Sequence, residues 1–271
     1  MSVVINGTNL KSATFNGQNV ETIYYNGSLV WERPPEIQLI SGIQTDGTAW
    51  IQTDFSPSDF RIYHDEASGS IYDYSIEIEF SILEESNLYS YEYLVGNSGE
   101  TIDSYINYIS YSHYNNNKDG YKIGFYLSNG DKKYLIIPLL TLNIGQKNKI
   151  KEIVHDNWPI EGYFYQEENG VYVQKYYKSS DETTGGYGSS TKPYTILRYV
   201  NKSGNIYTPK NQTGTVIHSI TFGGEDAKKK ELQRILQPAI RRNKGVETVG
   251  LYDAKRDIFY GPQEGSFIPH Y

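Results

Sequence analysis

Asn6-Gly7, Asn16-Gly17 and Asn26-Gly27 recur at a ten-residue spacing in the first thirty residues of the chain. Short runs of strand-forming residues flank them: Val3-Val4-Ile5, Ala13-Thr14-Phe15, Ile23-Tyr24-Tyr25 and Ser28-Leu29-Val30-Trp31. Asn-Gly is the dipeptide of two-residue hairpins, because both central positions of a type I′ turn need positive φ, which Gly adopts freely and Asn tolerates. The repeat therefore predicts successive hairpins in a very small all-β unit. Such a unit has too little core to stand alone. It is expected to dock, through Asn6, Gly7, Asn16, Gly17, Asn26, Gly27 and Trp31, on the rest of the chain, on copies of itself or on another protein. Arg33-Pro34-Pro35 is a stiff extended break, since proline fixes its own φ and biases the residue before it. The boundary is placed there, between an attachment module over residues 1–33 and a larger domain over residues 34–271.

From Ile37 onward, strand patterns follow one another. Tyr74, Ile76, Ile78, Phe80 and Ile82 alternate with Ser75, Glu77, Glu79 and Ser81, a period of two that predicts a strand with one buried and one wet face. Similar runs cover residues 91–95, 105–111, 121–127, 133–138, 148–154, 164–166, 171–177, 194–199, 216–222, 248–252 and 258–260. Asn129-Gly130-Asp131, Glu168-Asn169-Gly170 and Ala254–Asp257 read as turns. Residues 179–191 and 115–119 read as surface loops. One helix is predicted, over Ala227–Gln237, with Leu232, Ile235 and Leu236 on one face and Pro238 at its end. Many short strands of this kind make a sandwich or a barrel.

Composition narrows the function classes. The chain has no cysteine, which removes disulfides and thiolate metal sites. Its net charge of −7 argues against a protein that neutralises a nucleic-acid backbone. No apolar run has the length of a membrane-spanning helix. Residues 2–20 lack the apolar core of a signal peptide, so the chain is expected to be made and to assemble in a cytoplasm. Tyrosine is the outlier, at 27 residues against 9 Phe and 3 Trp. A surface rich in Tyr, Asn, Ser and Gly is typical of recognition proteins that work outside cells. A bacteriophage virion protein reconciles that surface with the missing export signal.

Two stretches resemble a known family. Ile43-Gln44-Thr45-Asp46-Gly47-Thr48-Ala49-Trp50-Ile51-Gln52-Thr53 resembles the opening strand of concanavalin-A-like and laminin-G-like jelly-roll domains of phages and gut bacteria. Gly250-Leu251-Tyr252-Asp253-Ala254-Lys255-Arg256-Asp257-Ile258-Phe259-Tyr260, followed by Gly265-Ser266-Phe267, is similar to the hairpin that closes them. The N-terminal repeat resembles short Asn-Gly β modules of phage tail, baseplate and head-fibre proteins. The resemblance implies a concanavalin-A-like (laminin-G-like) β-sandwich over residues 37–271, with the short helix before the closing hairpin. Its middle, roughly residues 86–114 and 156–211, is longer and richer in Tyr than a minimal domain of this kind. Fold alone does not assign a role.

Candidate chemistry follows from residue types. Glu77 and Glu79 sit two apart on one strand, the arrangement of a paired-carboxylate glycosidase. The run continues Phe80-Ser81-Ile82 without a further acid, which favours two water-facing side chains. His64, His113, His155, His218 and His270 form no metal-binding spacing, and Ser70 and Ser189 lack a nucleophile frame. Asp54, Asp59, Asp65, Asp119 and Asp131 lie in loops without the acidic density of a calcium loop. No catalytic residue, metal or cofactor is therefore assigned. The best binding cluster is Tyr105, Tyr108, Tyr111 and Tyr114 with Asn115 and Asn116. Its rings suit the apolar faces of sugars, or equally a protein–protein interface. The basic residues Lys228, Lys229, Lys230, Arg241, Arg242 and Lys244 read as a solvated face.

Together these observations predict a non-enzymatic virion structural protein of head-fibre, decoration or tail-associated type. Its N-terminal module would hold other virion proteins, and its sandwich would display toward host-surface or mucosal glycans. Self-association is expected; nucleic acid and membrane insertion are not. A bacterial surface lectin and a glycan hydrolase of concanavalin-like fold remain the alternatives.

Overall fold

The computed structural model describes residues 4–5, 8–9, 14–15, 18–20, 22–25, 28–32, 34–60, 74–84, 91–97, 106–115, 119–128, 132–154, 160–179, 193–200, 206–207, 214–223 and 232–271. The chain divides into two compact units, one of Met1–Gln38 with Ile240–Thr248 and one of Leu39–Ala239 with Val249–Tyr271.

In the first unit the strands are β1 (Val4–Ile5), β2 (Thr8–Asn9), β3 (Thr14–Phe15), β4 (Gln18–Asn19), β5 (Thr22–Tyr25), β6 (Ser28–Glu32) and β7 (Glu36–Leu39). Ile5 pairs with Thr8, Phe15 with Gln18 and Tyr25 with Ser28, so each hairpin closes across two residues. The Asn-Gly dipeptides at those positions lie outside the described residues, as does the side chain of Trp31.

The next strands are β8 (Gly42–Thr45), β9 (Ile51–Gln52), β10 (Tyr74–Ile82), β11 (Tyr91–Asn97), β12 (Ile106–Asn115), β13 (Asp119–Ser128), β14 (Lys132–Leu140) and β15 (Asn148–Val154). They are followed by β16 (Ile160–Glu168), β17 (Val171–Ser179), β18 (Thr195–Ile196), β19 (Tyr199–Val200), β20 (Ile206–Tyr207) and β21 (Thr215–Gly223). The last are β22 (Arg234–Asn243), β23 (Val246–Asp253), β24 (Ile258–Tyr260) and β25 (Phe267–His270).

Two antiparallel sheets build the second unit. The larger runs β17-β16-β15-β10-β21-β22-β23-β24, with β8 joining β21 to β25. The smaller runs β14-β13-β12-β11-β18-β9. The chain is thus an all-β protein with a β-sandwich as its main body. Alternation explains the layers. In β10, Ile76, Ile78 and Phe80 are buried while Glu77 and Glu79 between them are not. The core unites Ile78, Phe80, Ile150 and Phe164 of one sheet with Ile109, Ile123 and Phe125 of the other. Each such side chain contributes about 1.5–3 kcal/mol on leaving water. Phe55, Tyr194 and Phe222 add an aromatic knot, with Tyr194 and Phe222 centroids 4.7 Å apart and Phe55 and Phe222 4.9 Å apart.

The two sequence stretches that carry the family resemblance meet in space. β25 pairs with β8, Phe267 opposite Thr45. Beyond that pair, Asp46 Oδ1 accepts hydrogen bonds from Thr48 N and Ala49 N, each at 2.8 Å, and Asp46 Oδ2 accepts one from Ser266 N at 2.8 Å. Gly265 turns the chain here at φ +60°, and a Cβ on it would strike Thr48 Oγ1 and the Asp46 carboxylate.

The helix over Ala227–Gln237 is corrected. Residues 227–231 lie outside the described residues, but Leu232 is in a turn and Arg234–Asn243 is strand β22, which runs through Pro238. Leu236 is 0% exposed and Ile235 is 46% exposed, the alternation of a strand rather than one apolar helical face. The ladder with β21, Ile220 opposite Leu236 and Thr221 opposite Ile235, supplies what the local pattern does not encode. Among the described residues the helical segment is a single 3-10 turn, Pro57–Phe60.

Candidate functional site

The outward face of the larger sheet carries a ladder of charged and aromatic side chains. β10 and β15 pair Glu77 with Lys151 and Glu79 with Lys149. β15 and β16 then pair Lys151 with Tyr163 and Lys149 with Tyr165. β16 and β17 pair Tyr163 with Tyr177 and Tyr165 with Gln174. All of these positions alternate with core residues such as Ile78, Ile150 and Phe164, which is why they share one face.

The hairpin β16–β17 sets the aromatic part. Its connection is Asn169-Gly170, with φ of 53° and 80°, the positive pair of a type I′ turn. Starting from Glu168 opposite Val171, the register holds as far as Tyr165 opposite Gln174 and then shifts, so that Phe164 faces Tyr176. Lys175 is the extra residue of this bulge. The shift turns Tyr176 against the core and Tyr177, 46% exposed, outward beside Tyr163. Tyr172 and Tyr177, five residues apart, thereby share a face that strict alternation would deny them.

The rings and charges support one another. Tyr163 and Tyr165 are stacked with centroids 6.2 Å apart and planes 13° apart, and Tyr177 tilts against Tyr163 at 4.8 Å. Glu161 anchors this group, accepting hydrogen bonds from Tyr163 Oη at 2.6 Å and from Tyr177 Oη at 3.4 Å. Lys149 Nζ lies 3.0 Å from Glu79 and 4.4 Å from the centre of the Tyr172 ring. Lys151 Nζ lies 3.9 Å from Glu77 and 5.9 Å from the Tyr163 ring. Burial, and then the carboxylates of Glu79 and Glu167, push the Tyr172 phenol well above its usual range. Burial and Glu161 do the same to Tyr163. Both phenols therefore stay protonated at neutral pH, as donors. The face offers flat apolar surface with hydroxyl, carboxylate and ammonium groups around it. Such a face can stack against the C–H side of a sugar ring while pairing with its hydroxyls.

Glu77 and Glu79 do share a face, but each is ion-paired with the lysines of β15. The sequence-derived tyrosine cluster lies on β12. Its ladder with β13 runs unbroken, with Tyr108 opposite Tyr126, Tyr111 opposite Ile123, Tyr114 opposite Gly120 and Asn115 opposite Asp119. The strand period places the Tyr108 and Tyr114 positions on one face and the Tyr111 position on the other. Tyr105 and Asn116 lie outside the described residues. Among the described residues no group of three His, Cys, Asp or Glu is placed to hold a metal. Asp59 instead accepts hydrogen bonds from Ser56 N and Oγ, and Asp54 accepts one from Tyr260.

The tyrosines of β16 and β17 escaped sequence reasoning, although one signal was present. Asn169-Gly170 marks a two-residue hairpin and so makes Tyr163-x-Tyr165 and the tyrosines of 172–177 cross-strand neighbours.

No family model matches the chain, and no curated protein matches it. Among solved structures it is similar to the CBM40 of the Ruminococcus gnavus IT-sialidase bound to α2,3-sialyllactose, at 12% identity over 71% of this chain and 94% of that one, with a TM-score of 0.41. It is similar to basic winged bean lectin with Tn-antigen, at 12% identity over 78% of this chain and 89% of that one, TM-score 0.34. Scytalido-glutamic peptidase matches at 12% identity over 88% of this chain and 100% of that one, TM-score 0.33. Likeness of this order carries no inference about activity.

Proposed function

We propose that the chain is a non-enzymatic adhesion protein whose sandwich binds glycans on its tyrosine face. The observation that carries this reading is the parallel pair Tyr163 and Tyr165, extended by Tyr177 and Tyr172 and set in a polar ladder. Aromatic rings of this kind give contact area at low entropic cost, because each has only two torsions to fix. The acids of the face are paired with lysines, which suits hydrogen bonding to hydroxyls better than proton transfer to a leaving group.

The wider role we propose is display on a bacteriophage particle. Its support is the N-terminal series of hairpins, each closed across two residues and each too short to bury a core of its own. In this role the module holds another virion protein and the sandwich meets a host-surface or mucosal glycan.

A glycan array probed with the full chain and with a Tyr163→Ala/Tyr165→Ala variant tests the binding reading. Binding to a defined oligosaccharide class that the variant loses is expected. Binding that the variant retains, or none on the array, overturns it. Co-sedimentation of the chain with phage particles, lost when residues 1–33 are removed, tests the display role.

A further inference from the structure

Cross-strand pairs join into one row that crosses six strands of the larger sheet. Ile235 of β22 stands opposite Thr221 of β21, and Thr221 opposite Glu77 of β10. Glu77 stands opposite Lys151 of β15, Lys151 opposite Tyr163 of β16, and Tyr163 opposite Tyr177 of β17. Residues directly opposite in antiparallel strands point to the same side of the sheet, so these six side chains share the outward face. Each is exposed or half-buried, while Leu236, Ile220, Ile78, Ile150 and Phe164 beside them are buried. A second row of Ser219, Glu79, Lys149, Tyr165 and Gln174 runs alongside.

The row is open at both ends. β17 is the last strand of the sheet on one side. On the other, Ile235 borders a cavity of about 330 Å³. Strands lie 4.7–4.9 Å apart, so five steps span roughly 24 Å. A single sugar resting on Tyr163 reaches no further than the next strand and leaves most of the row unused. A flat crystalline surface fits poorly as well. Adjacent strands rotate by roughly 20–25°, so five steps turn the face by roughly 100°. One flexible chain can follow that turn.

Resting on the glycan-binding reading above, we propose that the face holds a single extended glycan chain laid across the strands. It takes an internal run of at least four β-1,4-linked pyranose residues rather than a chain terminus. The residue repeat of such a chain is close to the strand spacing, so successive sugars meet successive strands. Sugars over β16 and β17 stack on Tyr163 and Tyr177. Those over β15, β10 and β21 meet the Lys151–Glu77 pair and the Thr221 hydroxyl, and the far end of the chain lies against Ile235.

Isothermal titration of the full chain with cello- and chito-oligosaccharides of one to six residues tests the assignment, with maltohexaose as a coiled α-1,4 control. In one β-1,4 series the hexasaccharide is expected to bind at least about tenfold more tightly than the disaccharide, and more tightly than maltohexaose. Ile235→Ala, at an exposed strand position, is expected to keep the folded circular-dichroism spectrum. It should weaken the hexasaccharide about threefold or more and the disaccharide less. The Tyr163→Ala/Tyr165→Ala variant is expected to lose both. Four results overturn the proposal: no binding of either β-1,4 series, no gain from disaccharide to hexasaccharide, maltohexaose binding equally well, or Ile235→Ala binding the hexasaccharide like the parent. If the array still shows a glycan that the tyrosine variant loses, the extended-chain assignment alone falls. An array without binding removes the adhesion reading as well.

Discussion

Phe164 of β16 stands opposite Tyr176 of β17, whereas its neighbour Tyr165 stands opposite Gln174, and the residue skipped between them is Lys175. This one-residue shift sends Tyr176 inward and Tyr177 outward, and it assembles the aromatic face. Lys175 is the residue without a cross-strand partner, so deleting it is expected to leave Tyr165 opposite Gln174 and Tyr163 opposite Tyr177 in an unbroken ladder, with Tyr177 still outward. Glycan binding by the tyrosine face should therefore survive the deletion. Loss of binding in a variant that still melts cooperatively would show that the face needs the bulge itself and not only the register it sets.

Tyr163 and Tyr165 lie on the wet side of the sheet, so truncation removes contact surface more than core. Each single change to Ala is expected to weaken glycan binding about tenfold, ~1.4 kcal/mol. Thermal stability should change by less than about 1 kcal/mol, the scale of an outward aromatic pair. Binding curves and melts on the same preparations check both numbers.

Gly162 occupies the point of β16 that faces the second sheet. A Cβ there would come within 2.5 Å of Phe125 Cε2 and 2.8 Å of Leu135 Cδ2. Gly162→Val is expected to cost about 1–3 kcal/mol by overpacking. Chemical denaturation should show a lower midpoint with an unchanged slope. A midpoint equal to the parent's would mean the sheets do not pack closely there.

Asp46 predicts an acid-side dependence. Burial opposes its ionisation, but the hydrogen bonds from Thr48, Ser266 and Ala49 outweigh it and hold the carboxyl well below the usual carboxylate range. A carboxyl depressed by folding stabilises the protein above its unfolded pKa, about 3.9, and that stability is lost as pH falls toward its folded value. Asp46→Asn is expected to lower stability at pH 7 and to flatten the decline below about pH 4. An identical acid limb in parent and variant would remove Asp46 from this role.

Gly265 closes the same knot from the other side. Gly265→Ala combines positive φ with a clash on Thr48 and Asp46, so a loss of about 1–3 kcal/mol is expected. Because Asp46 and Gly265 act on one contact, the two changes should be less than additive in a double-mutant cycle.

Much of the fold was legible from period and turn chemistry. The alternation of Tyr74–Ile82 marks β10, and the apolar run around Ile150 marks β15. Asn169-Gly170 marks a hairpin because positive φ is a local requirement that few dipeptides meet. Where local signals competed, the reading failed. Leu232, Ile235 and Leu236 fit a helical stripe, but a strand from β21 was available to pair Leu236, and pairing is a non-local event. Glu77 and Glu79 were recognisable as neighbours on a wet face. Their lysine partners come from a strand some seventy residues away along the chain, and only the sheet order brings them together.

The sequence alone determined that this chain is a β protein, because side-chain alternation and turn dipeptides are written in adjacent residues. The tertiary structure decided which tyrosines meet and which carboxylates are neutralised. A single bulge reverses the facing of every residue beyond it, and that bulge exists only in the hydrogen-bonded pairing of two strands.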